Sequence, residues 1–342
     1  MTYRSSSKLR LAVLTTIVQA SASTATLAQA GTLPSMPVFR TSNLGVVTPH
    51  FELATSLPQV PVQLPLMATF VSDDPTADLR DVAGRLGLDD KLMRNGKGKL
   101  ATRTRAGTDD QQTLTGFDSS GGFFYRYDHR LHAVPEEQPR LPEAEKAFVI
   151  ATEYLLKHGL LPDDALAKPD LVSFHQPMLS EFEAKSGRIL QSFATSIEVR
   201  YPQQWGDLPV TGPGSKLYVA LGDGGDVVGV TRMWRSARPT NVMLKTVPAE
   251  EAFRQLKVGS HLSMPVGCAT AKIEQFQLAY WSESPKESQR TSLPLYQIQG
   301  QCVSETGEGL GGFMGYAPAV HAGDFKLNDA PREADDVDDE EG

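Results

Sequence analysis

The sequence predicts an α+β protein in which helices pack across curled antiparallel sheets. Two amphipathic helix patterns are each followed by several short strand patterns, an order that favours antiparallel sheets over a parallel β-α-β layer. The glycine-rich stretch GDGGD, residues 222–226, lies between two alternating apolar runs. No helix follows it, as a phosphate-binding loop requires, so it predicts a tight hairpin turn that holds no ligand.

The first 30 residues have the features of an export signal. A basic start at Arg4, Lys8 and Arg10 precedes a short apolar run, and small residues end the segment. We therefore expect a cleaved signal peptide over residues 1–30, with the cut between Ala30 and Gly31. The apolar run is too short to cross a bilayer, so we expect no membrane span after its removal and a secreted or periplasmic location.

Both ends of the remaining chain predict little order. Residues 31–60, rich in Pro, Ser and Thr, predict a loosely ordered lead-in, and residues 323–342 predict an acidic disordered tail. The formal net charge is −8, and loss of the three positive charges of the signal leaves −11. Since no basic face stands out, nucleic acid is excluded as an expected partner.

Residues 61–135 predict a first helix-plus-sheet unit. A strand over 62–71 precedes a helix that Asp74 caps, that Pro75 opens and that Gly87 ends. Apolar residues recur at helical spacing along it, and three short strand patterns follow as far as residue 128. The break at Ser119–Gly122 separates the last two of these strands as a turn.

Residues 140–322 repeat this order on a larger scale. A strong helix pattern runs from Pro142 to Gly159, and strand patterns follow on both sides of the GDGGD turn. A third helix pattern begins at Pro248. Two strands are expected on either side of a turn at 283–290, and a last strand near 311–320.

Cys268 and Cys302 are the two cysteines of the chain. They bracket two strand patterns around a polar turn, which would bring them close to the open end of one hairpin. In an exported protein we expect them to form a structural disulfide, the alternative being two separate buried thiols. The absence of a C-x-x-C motif argues against a redox role.

The run VRYPQQWGDLPVTGPGSKLYVALGDGGDVVGV, residues 199–230, resembles the PepSY and related peptidase-propeptide modules and the YycI-like regulatory proteins. A strand through Tyr201, a turn at Trp205–Asp207 and the glycine turn between two strands carry the resemblance, which is best over residues 142–302. It implies cystatin-like helix-plus-sheet units. It also implies a non-catalytic role: inhibiting or chaperoning a peptidase, or sensing outside the cytoplasm.

The search for catalytic motifs gives one weak candidate. Asp128, His129 and His132 could hold a metal in a hydrolase if they lay on a helix, where His129 and His132 would share a face. The preceding GGFFYRY predicts a strand instead, which points positions three apart to opposite faces. We therefore expect no metal, no other cofactor and no catalytic residues.

These observations favour a secreted or periplasmic, non-enzymatic protein that binds a protein or peptide partner. Tyr201, in a strand, and Trp205, in the turn that follows, are the candidate binding residues. Exposed aromatics mark binding surfaces, and Trp205 is favoured because loops carry function more often than cores do. The metal-dependent hydrolase and a structural envelope or surface protein are the alternatives. The sequence leaves the oligomeric state open.

Overall fold

Antiparallel strands dominate the computed structural model of the chain, which describes residues 35–36, 48–88, 91–94, 99–103, 111–131, 137–166, 168–183, 188–256, 258, 261–321 and 326–327. Within these ranges the helices are α1 (Pro75–Arg85), α2 (Asp128–Leu131), α3 (Ala144–Lys157) and α4 (Ala249–Arg254). The predicted signal peptide, with Ala30 and Gly31, lies outside the described residues.

In chain order, the strands are β1 (Ser35–Met36), β2 (His50–Leu53), β3 (Gln63–Phe70), β4 (Met93–Arg94), β5 (Lys99–Arg103), β6 (Gln112–Phe117), β7 (Phe123–Tyr127), β8 (Ser173–His175), β9 (Met178–Phe182), β10 (Ile189–Ala194), β11 (Ile197–Tyr201), β12 (Gln204–Trp205), β13 (Leu208–Thr211), β14 (Lys216–Leu221), β15 (Val227–Met233), β16 (Ser236–Lys245), β17 (Leu262–Ser263), β18 (Thr270–Trp281), β19 (Thr291–Ser292), β20 (Pro294–Val303), β21 (Gly309–Pro318) and β22 (Lys326–Leu327).

The largest sheet has eight strands in the order β4-β5-β6-β7-β15-β14-β11-β8. The helices α1 and α3 pack on one face of it, where Leu79, Val82, Ala147, Ala151 and Leu155 join the buried strand residues. The strand β7 lies in the predicted first unit and β15 in the predicted second region, and the two pair with each other. One sheet therefore runs through both of the predicted ranges.

A second sheet of seven strands follows the order β12-β13-β18-β20-β21-β17, with β2 also paired to β18. One of its faces packs with α4 around a core that contains Phe276, Tyr296 and Phe313. The sheet β16-β3-β19 adds a third layer, whose Leu66 and Leu244 contact Trp281 and its neighbours. Strands β9 and β10 form a separate two-stranded ribbon, and β1 pairs with β22.

The predicted fold class is wrong. Across the described residues, strands far outnumber the four short α-helices, which makes this a β-rich fold with several sheets rather than helices packed on curled sheets. The helix patterns themselves are confirmed for α1 and α3: Asp74 accepts a hydrogen bond from the Ala77 amide, and Gly87 and Gly159 lie just beyond the helix ends with positive φ. The error lies in the strands, because alternation predicts a strand but does not say which sheet it joins.

Short strands lie in both predicted end segments. Within residues 31–60, the predicted loosely ordered lead-in, β2 pairs with β18 in parallel. The predicted tail includes β22, whose two residues pair with β1. The rest of the tail, from 328 onward, lies outside the described residues.

The GDGGD stretch is a hairpin turn, as predicted. It joins the antiparallel strands β14 and β15 through one short 3₁₀ turn, in which Gly224 and Gly225 have φ values of 67° and 91°. L-residues rarely adopt these angles, and a Cβ at Gly225 would also lie 2.9 Å from Ile150 Cδ1. Gly222 keeps a negative φ of −92°, so only two of the three glycines need their conformational freedom.

Arg140 fixes the position of this turn. Its backbone N–H donates to Asp223 Oδ1 at 2.8 Å, its Nη2 donates to Asp223 Oδ2 at 3.0 Å, and its carbonyl accepts from the Gly224 amide at 3.0 Å. The side-chain hydrogen bond from Arg140 holds the pKa of Asp223 below its ordinary value. The turn is thereby tied to the segment that leads into α3.

The predicted disulfide is confirmed. Cys268 and Cys302 are bonded, with Cα atoms 5.5 Å apart and 34 positions apart in the sequence. Cys302 lies in β20 beside Ala271 of β18, so the bond closes the open end of the β18–β20 pair.

A buried arginine organises the loop between β18 and β19. Arg235 is 1% exposed, and its guanidinium donates to the carbonyls of Glu283, Ser284 and Glu287, the last two at 2.8 and 2.7 Å. Burial lowers its pKa to about 10, so it remains charged at neutral pH. Gly214 lies against this cluster, since a Cβ there would be 2.0 Å from the Glu283 oxygen.

Candidate functional site

The eight-stranded sheet has one face covered by α1 and α3 and a second face that carries a groove. Strand register assigns the side chains to the two faces, because directly opposed residues in an antiparallel pair point the same way. Phe124 of β7 is opposite Thr231 of β15, and Arg126 is opposite Gly229. Phe123 and Tyr125 point to the helices, so Phe124 and Arg126 lie on the groove face.

The groove has a volume of about 390 Å³ and is formed by four adjacent strands and the segments that rise beside them. Its lining residues are Phe124, Arg126, Leu131, Pro177, Thr195, Ser196, Glu198, Tyr218, Ala220, Gly229, Val230 and Thr231. Leu131 of α2 lies on one side, and Pro177 and Thr195, at the base of the β9–β10 ribbon, lie on another. Gly229 lies beneath the Leu131 side chain, since a Cβ at Gly229 would be 3.6 Å from Leu131 Cδ2.

Glu198 and Arg126 place opposite charges in the groove. Each forms an ion pair, Glu198 with Arg200 and Arg126 with Asp128. Glu198 Oε2 accepts from Arg200 Nε at 2.9 Å and from Arg200 Nη2 at 2.6 Å. The Arg200 guanidinium also lies 5.9 Å from the centre of the Tyr218 ring. Both contacts of Glu198 use Oε2, which leaves Oε1 without a hydrogen-bond donor among the described residues. Arg126 supplies the positive charge on the other side of the groove.

Asp128, one of the three candidate metal ligands, is hydrogen-bonded to neighbouring side chains. Its Oδ1 accepts from Arg126 Nε at 2.9 Å, and its Oδ2 accepts from Thr113 Oγ1 at 2.5 Å. The expected strand is wrong here, because Asp128–Leu131 forms the helical turn α2. His129 is exposed, and His132 lies outside the described residues. Within the described ranges no group of three potential ligands is close enough to hold a metal.

The two candidate binding residues are buried. Trp205 is 4% exposed, in β12 rather than in the turn that follows, and it packs against Tyr280 with ring centres 5.9 Å apart. The expectation that Trp205 is exposed for contact is therefore wrong. Its indole N–H donates to the carbonyl of Arg235 at 3.3 Å, which ties it to the interior.

Tyr201 lies at the end of β11, on the face that packs against α3. It is 3% exposed, and its hydroxyl lies 2.8 Å from Thr152 Oγ1. Burial raises the pKa of Tyr201 to about 12. This residue is part of the core and is on the opposite side of the sheet from the groove.

Sequence reasoning missed the groove because its residues come from segments that are far apart in the chain. Each of them has an ordinary place in a strand pattern, and only the pairing of β7 with β15 brings Phe124 beside Thr231. The alternation in GGFFYRY was the available signal: it places one of two adjacent phenylalanines away from the core.

No protein-family model and no curated protein matches the chain. A solved structure of an uncharacterized protein from Eubacterium rectale is similar to it, with a TM-score of 0.48 and 11% sequence identity, over 82% of this chain and 92% of that one. A likeness at this level supports no conclusion about function. In the described part of the chain, no helix is long and apolar enough to cross a membrane.

Proposed function

We propose that this chain is a non-enzymatic binding protein that takes a segment of a protein or peptide partner in the groove of the eight-stranded sheet. The observation that carries the proposal is the groove itself, in which apolar walls at Phe124 and Leu131 stand beside opposite charges at Arg126 and Glu198. A peptide offers the matching groups: apolar side chains, backbone N–H donors and carbonyl acceptors. The volume of 390 Å³ is near the lower end for ligand pockets and suits one or two side chains.

The edge of the same sheet supports this function. The strand β8 is the last in the sheet order and pairs with β11, which contributes Glu198 to the groove. All three residues of β8 are exposed. A partner strand could add to this edge through backbone hydrogen bonds while one of its side chains enters the groove.

A library of random twelve-residue peptides displayed on phage, selected on the full chain, tests the proposal. Binding of the enriched peptides is then measured by fluorescence anisotropy. We expect Phe124→Ala to weaken binding about tenfold or more, because truncating a central hot-spot residue costs about 2 kcal/mol or more. Phe70→Ala is the matched control, since Phe70 is another half-exposed phenylalanine in a different sheet.

Enrichment of no peptide, or equal binding to wild-type protein and Phe124→Ala, would count against the groove. Assays of purified extracellular peptidases with and without the chain then separate an inhibitor from a protein that only binds.

We also propose that the protein acts outside the cytoplasm. The Cys268–Cys302 bond is compatible with this location, because structural disulfides persist in oxidising compartments. N-terminal sequencing of the protein recovered from the exported fraction of its native host should begin at Gly31. Full-length protein confined to the cytoplasm would refute the location without bearing on the groove.

A further inference from the structure

The β9–β10 ribbon concentrates the exposed apolar side chains of the molecule. Sixteen large hydrophobic residues are exposed in the described part of the chain, and six of these lie between Leu171 and Leu190. The four on the ribbon strands are Met178, Phe182, Ile189 and Leu190, which are 59%, 58%, 56% and 50% exposed. Single exposed hydrophobics are common on protein surfaces, but a cluster marks an interaction site.

Strand register shows that three of these four residues share one face. Phe182 is opposite Ile189. Met178 lies four residues before Phe182 in β9, so its side chain points to the same face. Leu190 occupies the irregularity between Ile189 and Gln191. The other face carries Phe193, which is only 8% exposed and is therefore covered by the rest of the molecule. The apolar face of the ribbon thus points to solvent.

The size of this face approaches one half of a stable interface. With about 200 Å² of accessible area for a large apolar residue, Met178, Phe182 and Ile189 together expose about 350 Å². A standard interface buries about 800 Å² on each partner, of which a little over half is apolar, or about 450 Å². The three residues of the face supply about three-quarters of this apolar share, and Leu190, next to Ile189, exposes about 100 Å² more.

Two polar pairs of the ribbon are formed within it. The Ser180 and Ser192 hydroxyls lie 2.9 Å apart in the middle of the apolar face, and Arg188 Nε lies 3.9 Å from Glu183 Oε2 near the tip. The face therefore offers no net charge for a charged partner to recognise, and it fits a second surface that is equally apolar and neutral. An identical ribbon is such a surface.

We propose that two copies of this chain associate through their ribbons, with the apolar faces packed together about a twofold axis. A twofold dimer uses the same patch on both subunits and is the commonest symmetric assembly of soluble proteins. It would place four strands at the contact, whereas an isolated two-stranded ribbon is only marginally stable in water. The groove lies on the sheet beside the ribbon base, so this interface is separate from the proposed peptide site.

Sedimentation velocity of the full chain from about 1 to 100 µM tests the dimer. We expect the wild-type protein to dimerise within this range. Phe182→Glu should weaken dimerisation about 100-fold or more, because it buries an unpaired charge in an apolar contact. Phe70→Glu places the same charge at another exposed phenylalanine and should leave the dimer intact.

Hydrogen exchange gives a readout that does not depend on a variant. Amides of residues 178–194 should exchange more slowly at 100 µM than at 1 µM in the wild-type protein. A monomer at the highest concentration, a dimer that survives Phe182→Glu, or ribbon exchange independent of concentration would overturn the proposal. Each of these results leaves peptide binding in the groove to be judged by its own assay.

Discussion

Arg235 offers a direct test of how the interior holds the 282–290 loop. We replace it with Met, which keeps the long apolar stem and removes the guanidinium. Three carbonyls then lose their donor, those of Glu283, Ser284 and Glu287. Glu283 is buried, so its carbonyl is left unsatisfied at a cost of about 1–3 kcal/mol, whereas water can reach the other two more easily. Removal of a desolvated charge offsets part of this loss, and we expect a net destabilisation of about 1–2 kcal/mol.

Urea unfolding measures this change in free energy, and hydrogen exchange of residues 282–289 reports the loop directly. Arg238→Met is the control, because Arg238 is an exposed arginine three positions further along the chain. We expect the loop amides to exchange faster in Arg235→Met and to be unchanged in Arg238→Met. Equal stability of the two variants, together with unchanged loop exchange, would refute the view that Arg235 fixes the loop.

Three further outcomes are expected. Replacing Cys268 and Cys302 with Ser should lower the free energy of unfolding by about 4 kcal/mol, from closure of a loop with a sequence separation of 34, and reductant should then have no further effect on the urea midpoint. Gly225→Ala should destabilise the protein because its φ is 91°, whereas Gly84→Ala, in α1 with free space around it, should stabilise it by about 0.5–1 kcal/mol; thermal unfolding decides whether the signs differ. The pKa of Asp223 is lowered in the folded state, so the stabilising contribution of its carboxylate is present above pH 3.8 and is lost as the pH falls through the lowered value. Asp223→Asn should therefore reduce the loss of stability on acidification. Parallel acid-unfolding curves for the wild-type protein and the variant would contradict this.

The sequence predicted correctly those helices and turns that depend on residues next to each other in the chain. Asp74 and Pro75 mark the start of α1. Gly224 and Gly225 reverse the chain between β14 and β15, because glycine adopts positive φ without a steric penalty. The disulfide followed from two cysteines that bracket one strand pair.

The assembly of the sheets and the candidate site depended on distant pairing. Trp205 was expected in an exposed turn, but Gln204 and Trp205 pair with β13, and that short strand turns the indole into the interior. The groove has no motif of its own, because Phe124, Glu198 and Tyr218 become neighbours only when β7, β15, β14 and β11 align. A resemblance carried by strand and turn patterns in residues 199–230 could not supply these contacts, and the similarity to propeptide modules stays a prediction.

The position of β3 has a consequence during synthesis of the chain. This strand emerges early, yet its partners are β16 and β19, and the Thr69 hydroxyl donates to the carbonyl of Gln289, 220 residues later. At about 5–20 residues per second, a ribosome needs roughly 10–45 s to make that stretch. The apolar strand at residues 63–70 has neither of its native neighbours until β16 has been made, and its sheet stays incomplete until β19 follows.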